Sequence, residues 1–317
     1  MGENIVDQRR EPRLRLRHIV AAVAALLILL LALGAVAWFT APVPVALRSR
    51  VSGIERAHHA VPVPLGGIPV VMREAVVATE DERFYRHHGI DTPGIVRAAA
   101  YDLTHLSTAQ GASTITEQLA KIVYLGGNDH SLWGKLQDAT IALRIEGTTS
   151  KQQILDDYLN LVYFGHHAYG ISRAAHTYFG ETASKLSLAQ ASLLAGLIQA
   201  PSAYDPLSDA PAARARQVEV LRSMVRNGYA ASSEAREVLS HRLPLSVGSV
   251  PPDGEASLSP GPLLAPLQLV TGVALMSLAV IGWTLSPRWS HGSLMRLACV
   301  LAGAVGMVEL VGSLRFA

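Results

Sequence analysis

The chain has 317 residues, half of them apolar and 16% charged, where an average soluble domain carries roughly 25% charged residues. Its formal net charge is +2 with no dense basic stripe, which gives no ground for nucleic-acid binding. A single cysteine, Cys299, excludes an internal disulfide framework or a cysteine metal site.

Residues 1–17 carry Arg9, Arg10, Arg13, Arg15 and Arg17 and read as a cytoplasmic basic tail. From His18 to Thr40 the chain is apolar, without interruption between Ile19 and Phe39. About 20 such residues cross a bilayer, so residues 18–40 read as a transmembrane anchor. A cleaved signal peptide is the alternative, with Ala35 and Ala37 imitating a cleavage site. Its apolar core, however, should span only about 7–15 residues. Residues 41–65 are rich in proline and small side chains and read as a linker.

A mainly helical domain is expected over residues 66–242. Val71–Phe84 carries the first helical pattern. Asp91, Thr92 and Pro93 supply a cap and a first-turn proline for the next. Thr114 to Glu117 reads as a capping box opening a helix through Leu125, and Ser150–Gln153 and Ser187–Gln190 repeat the pattern. Behind these caps Ile154, Leu155, Tyr158, Leu159 and Val162 fall at helical spacing, as do Ala191, Leu194, Ala195 and Ile198. Pro201 closes the second of these helices. A last helix runs from Pro211 to Asn227 and stops at Gly228. Alternating strand patterns are scarce. Residues 243–262 read as a second linker. Residues 263–285 and 297–314 then form a transmembrane hairpin whose turn carries Arg288 and Arg296. Glu309 falls inside the last span, where a carboxyl calls for a partner or a task.

Two clusters could carry chemistry. In Ala78-Thr-Glu-Asp-Glu-Arg-Phe-Tyr-Arg-His-His-Gly89, Glu80, Asp81 and Glu82 sit among arginines. Charge runs usually face water, as a helical turn with short-range ion pairs. Yet Val76, Val77 and Ala78 lead directly into Glu80, and a carboxylate at an apolar edge has the raised pKa that suits a general base. In Gly111-Ala-Ser-Thr-Ile-Thr-Glu-Gln-Leu-Ala-Lys121, small residues open a helix whose amides could meet an anion, with Lys121 two turns on. A well-capped amphipathic helix explains the same letters. The adjacent pairs His58–His59, His87–His88 and His166–His167 lack the spacing of a metal site.

These stretches together resemble the family 51 peptidoglycan glycosyltransferases, the polymerising domain of bifunctional penicillin-binding proteins and monofunctional transglycosylases. Glu80, Asp81, Phe84, His87 and Gly89 match the family's first motif. Gly111, Ser113, Thr114, Ile115, Thr116, Gln118, Leu119 and Lys121 match the second. The likeness continues through Ser150-Lys151, Tyr158-Leu-Asn160, Tyr163-Phe-Gly165, Ala168-Tyr-Gly-Ile171, Tyr178-Phe-Gly180, Leu194-Ala-Gly-Leu197 and Gln199-Ala-Pro201. The resemblance implies a bilobed, lysozyme-like helical fold on the outer face of the cytoplasmic membrane. It implies lipid II and the nascent glycan as substrates, joined with inversion as undecaprenyl pyrophosphate leaves.

Glu80 would be the base and Asp138 its partner carboxylate. Lys121, Lys135, Ser113 and Gln118 would serve the pyrophosphate. Asp81, Phe84, His87, Thr114, Asn160 and Tyr169 complete the implied substrate-binding set, and some family members add Mg or Mn at the pyrophosphate. Ser-x-x-Lys followed by Lys-Thr-Gly does not occur after residue 245, so cross-linking is not expected. The glycines of the terminal hairpin would suit packing with other cell-wall synthesis membrane proteins.

The third family motif, Arg-Lys-x-x-Glu, reads Gly134-Lys-Leu-Gln-Asp138 here. Ile122 replaces an asparagine, His130 stands where several members have arginine, and Glu117 replaces a glutamine. Glu and Gln serve the third position of a capping box equally, so the Glu117 change is harmless. The changes at Gly134, Ile122 and His130 thin the polar and cationic surroundings of the leaving group. Two functions follow: a glycan polymerase, or a relative that binds lipid-linked precursor or synthesis partners without turnover. A soluble lysozyme-type enzyme would not need the lysines or the anchor.

Overall fold

The computed structural model describes residues 10–42, 44, 47–105, 113–126 and 131–246. The expected spans 263–285 and 297–314 lie outside the described residues, as do most of the 243–262 linker, Gly111, His130, Cys299 and Glu309. Among the described residues the chain is helical, with two isolated bridges and no sheet.

Two units divide after Thr40. The first contains α1 (Arg10–Thr40). Within it His18–Thr40 has a mean hydropathy of 3.0 and the length and composition to cross a membrane. Its long apolar side chains are exposed, Leu31 at 74% and Phe39 at 81%, as a helix solvated by hydrocarbon would be.

The second unit begins at Ala41. The stretch expected to be a linker holds α2 (Leu47–Ala57), which buries Leu47 and Val51 against α5 and α7. Leu47, Val51 and Ile54 stand at helical spacing, but Arg48, Arg50, Glu55 and Arg56 dilute the signal. The helices that follow are α3 (Val70–Glu80), α4 (Thr92–His105), α5 (Ile115–Tyr124), α6 (Leu132–Glu146) and α7 (Lys151–Leu161). The unit closes with α8 (Ile171–Phe179), α9 (Leu188–Leu197), α10 (Ala210–Arg226) and α11 (Ser232–Ser240).

Packing gathers these helices into two sets around one apolar core. α3 lies on α9 and α10, while α5 lies on α6 and α7. α9 is buried on every side from Gln190 to Leu197, which explains a sequence apolar all round.

The caps behave largely as expected. Thr114 with Glu117 and Ser187 with Gln190 form full capping boxes. Ser150 accepts from the Gln153 amide alone, so the expected box there is half made. Asp209 caps α10, whose first turn carries a proline, and Gly228 follows its end at φ 76°, a left-handed position open to glycine at little cost. One boundary departs from expectation: α3 stops at Glu80, four residues before Phe84.

Candidate active site

The helix stops there because Asp81 is engaged elsewhere. At φ −158° it leaves helical geometry. Its carboxylate then accepts from the Ile115 amide at 3.0 Å and from His87 Nε2 at 2.9 and 3.0 Å. One side chain thus ends α3 and satisfies an orphan amide at the start of α5. Below this contact Glu146 accepts from Thr116 Oγ1 and from Lys151 Nζ, both at 2.6 Å. The Lys151 ammonium sits 4.4 Å from the centre of the Phe84 ring. Glu82 meets Arg97 of α4 at 2.8 Å. Asp81 and Glu82 therefore serve partners outside their own turn, and the reading of a solvated turn with i,i+3 and i,i+4 pairs does not hold for them.

Gly89 brings the remaining framework together. At φ +94° it has a conformation that L side chains rarely adopt, and a Cβ there would lie 2.9 Å from the backbone of Ala142 and Leu143 on α6. Its carbonyl accepts from the Thr114 hydroxyl at 2.6 Å. The first motif is thereby clamped to α5 and α6 at once.

On this framework Glu80 sits at the last position of α3. The residue keeps partial solvent access, yet burial of its carboxyl raises the pKa above the usual carboxylate range. A hydrogen bond from Gln118 Nε2 at 2.9 Å opposes that rise. Arg216 of α10 also opposes it, and the charge of Asp81 adds to it. Behind Gln118, the Tyr158 hydroxyl donates to its Oε1 at 2.7 Å. The Ala78 carbonyl, in the last turn of α3, is held by the Ser223 hydroxyl of α10. A carboxylate that is reachable, reluctant to ionise and held by Gln118 on an anchored helix end can take a proton from an incoming hydroxyl.

The other expected residues divide into two groups. Ser113 is exposed before the Thr114 cap, Gln118 and Lys121 are half-buried on α5, and Lys135 is exposed on α6. Asp138 is buried on α6 at 8% exposure. Because α5 and α6 pack together, the two lysines and Asp138 belong to neighbouring helices.

The second group has internal duties. Phe84 lies in the core with none of its surface exposed, so it supports the site from beneath and faces no ligand. Asp81, His87 and Thr114 are buried and bonded as described above. Asn160 pairs with the backbone of Val63 through both ends of its amide, at 2.8 and 3.0 Å. Tyr169 stacks on His58 at 3.8 Å. Among the described residues no group of three or more His, Cys, Asp or Glu side chains could hold a metal ion.

Sequence reasoning did not find Tyr158 or Arg216 as neighbours of Glu80. Tyr158 reads there as one apolar position of a helix, and nothing in its spacing discloses a hydroxyl partner. Arg216 comes from a helix late in the chain and gives no local signal.

The family model described as Transglycosylase matches residues 48–225. Penicillin-binding protein 1A of Escherichia coli K12 is 45% identical over 169 residues, which cover 53% of this chain and 20% of that protein. A Cupriavidus necator protein provisionally named a transglycosylase is 45% identical over 172 residues, covering 54% of this chain and 74% of that one. Penicillin-binding protein 1A of Neisseria gonorrhoeae is 40% identical over 179 residues, 56% of this chain and 22% of that protein. The matched stretch thus spans about a fifth of the penicillin-binding proteins.

Proposed function

The chain belongs to the transglycosylase family, and from that premise we propose that it polymerises lipid II into glycan strands. The observation that carries the reading is Glu80: a partly open carboxyl with a raised pKa, oriented by Gln118 at 2.9 Å. In this reaction Glu80 removes the proton from the acceptor 4-hydroxyl as that oxygen attacks the anomeric carbon of the donor. Configuration inverts, the bond to the lipid pyrophosphate breaks, and the leaving group carries away the electron pair. Lys121 and Lys135 supply cationic donors to the departing pyrophosphate, with Ser113 beside the start of α5 and Asp138 as the second carboxylate.

The same reading places α1 in the cytoplasmic membrane as an anchor, with the unit from Ala41 on the extracytoplasmic face as a bilobed, lysozyme-like domain. The apolar length of His18–Thr40 and the arginines before it support this arrangement.

Purified lipid II incubated in detergent with the full chain and with Glu80→Gln tests the proposal. Glycan formed by the wild type and not by the variant supports it. Binding of lipid II without polymerisation, under conditions in which a penicillin-binding protein 1A is active, would transfer support to the non-polymerising relative. Gly134, Asp138 and Ile122 are the residues that favour this second reading.

A further inference from the structure

Gln118 lies between a carboxylate and a phenol. The two ends of a primary amide are alike in shape, so packing alone does not decide which end faces Glu80. The chemistry of its neighbours does. An ionised carboxylate only accepts, so Nε2 turns to Glu80 at 2.9 Å and Oε1 is left toward Tyr158, whose hydroxyl donates at 2.7 Å.

We propose that Tyr158 is a positioning residue for Glu80, its hydroxyl fixing the Gln118 amide with the N–H end toward the carboxylate. The proposal rests on the reading of Glu80 as the base. Tyr158 suits the task because it is completely buried in α7, so its ring has a single seat. Burial and the carboxylates of Glu80 and Asp81 push its phenol well above the ordinary value, so it remains an O–H donor. Donation into Oε1 polarises the amide and strengthens the N–H bond to the carboxylate.

When Glu80 is protonated the amide can turn, with Oε1 accepting the carboxyl proton and Nε2 pointing at the phenol. Removing the hydroxyl withdraws the donor that favours the ionised arrangement. Tyr158→Phe therefore makes Glu80 harder to ionise, while the other charges acting on it, Arg216 and Asp81, remain in place.

The test is the pH dependence of lipid II polymerisation by the full chain in detergent. In Tyr158→Phe the acid limb of kcat should move to higher pH by about half a unit or more, with KM for lipid II unchanged. In a Gln118→Met background the same substitution should add nothing. A carbon-13 titration of the Glu80 carboxyl, run without substrate, should show the same upward move. An unmoved midpoint in folded Tyr158→Phe overturns the proposal. So does an equal move in the Gln118→Met background, since the phenol would then act on Glu80 without the amide.

Should Tyr158→Phe fail to fold, fluorotyrosine at 158 keeps the ring and strengthens the donor. It must then move the midpoint downward, and no movement overturns the idea. If no protein polymerises, the function falls while the carboxyl titration still decides the relay.

Discussion

At the residue scale the decisive property of Glu80 is that the fold discourages its charge. Its pKa is raised chiefly by burial, so polymerisation should fall as the pH drops through a midpoint above the ordinary carboxylate range, which a rate profile measures. Glu80→Gln should lower turnover by about 10²–10⁴-fold, the usual contribution of a positioned base. The same group costs stability. Because the folded pKa exceeds the unfolded one, the unfolded chain holds fewer protons between the two values, and stability is lost as pH rises through the folded pKa. Glu80→Gln should accordingly melt at a higher temperature than the wild type near pH 8. That advantage should shrink as the pH is lowered toward 4.5, the ordinary carboxyl value. A variant less stable than the wild type at pH 8 would contradict the assignment.

At the element scale the caps and the clamp are separable. Thr114→Ala removes both the cap of α5 and the bond to Gly89, and should cost about 1–2 kcal/mol in a urea titration. Gly89→Ala should cost more, about 2–4 kcal/mol, because it combines a strained φ with a clash against α6.

Much of this level was legible in the letters. Thr114–Glu117 and Ser187–Gln190 advertise their helices through local hydrogen bonds that need only four residues. α2 was hidden because its apolar stripe of Leu47, Val51 and Ile54 is thin, and only contact with α5 and α7 makes it a core element. The end of α3 was misjudged because helical periodicity continues past Glu80. What stops the helix is the bond between Asp81 and the amide of Ile115, 34 residues further on. Phe84 could be recognised as a motif position, but its place beneath Lys151 arises from tertiary packing.

At the scale of the whole molecule, α1 and the unit beginning at Ala41 are separate bodies. Membrane attachment through α1 can therefore be examined alone. Residues 1–45 fused to a soluble reporter should hold it in the membrane fraction through an alkaline carbonate wash, given the apolar length of His18–Thr40. Release of an uncleaved fusion would remove the anchor from the account, and recovery of a shortened reporter would identify a cleaved signal peptide.

The unit beginning at Ala41 imposes an order of its own. Glu80 accepts from Gln118, and Gln118 accepts from Tyr158, while Arg216 of α10 also acts on the carboxyl, so its surroundings come from α3, α5, α7 and α10. During synthesis Glu80 leaves the ribosome before these companions. A nascent chain ending before α7 carries Glu80 without the Tyr158 hydroxyl that bonds Gln118. On the proposed reading of Glu80, competence for transfer is thus a late event in the chain's biogenesis, withheld until distant segments have met.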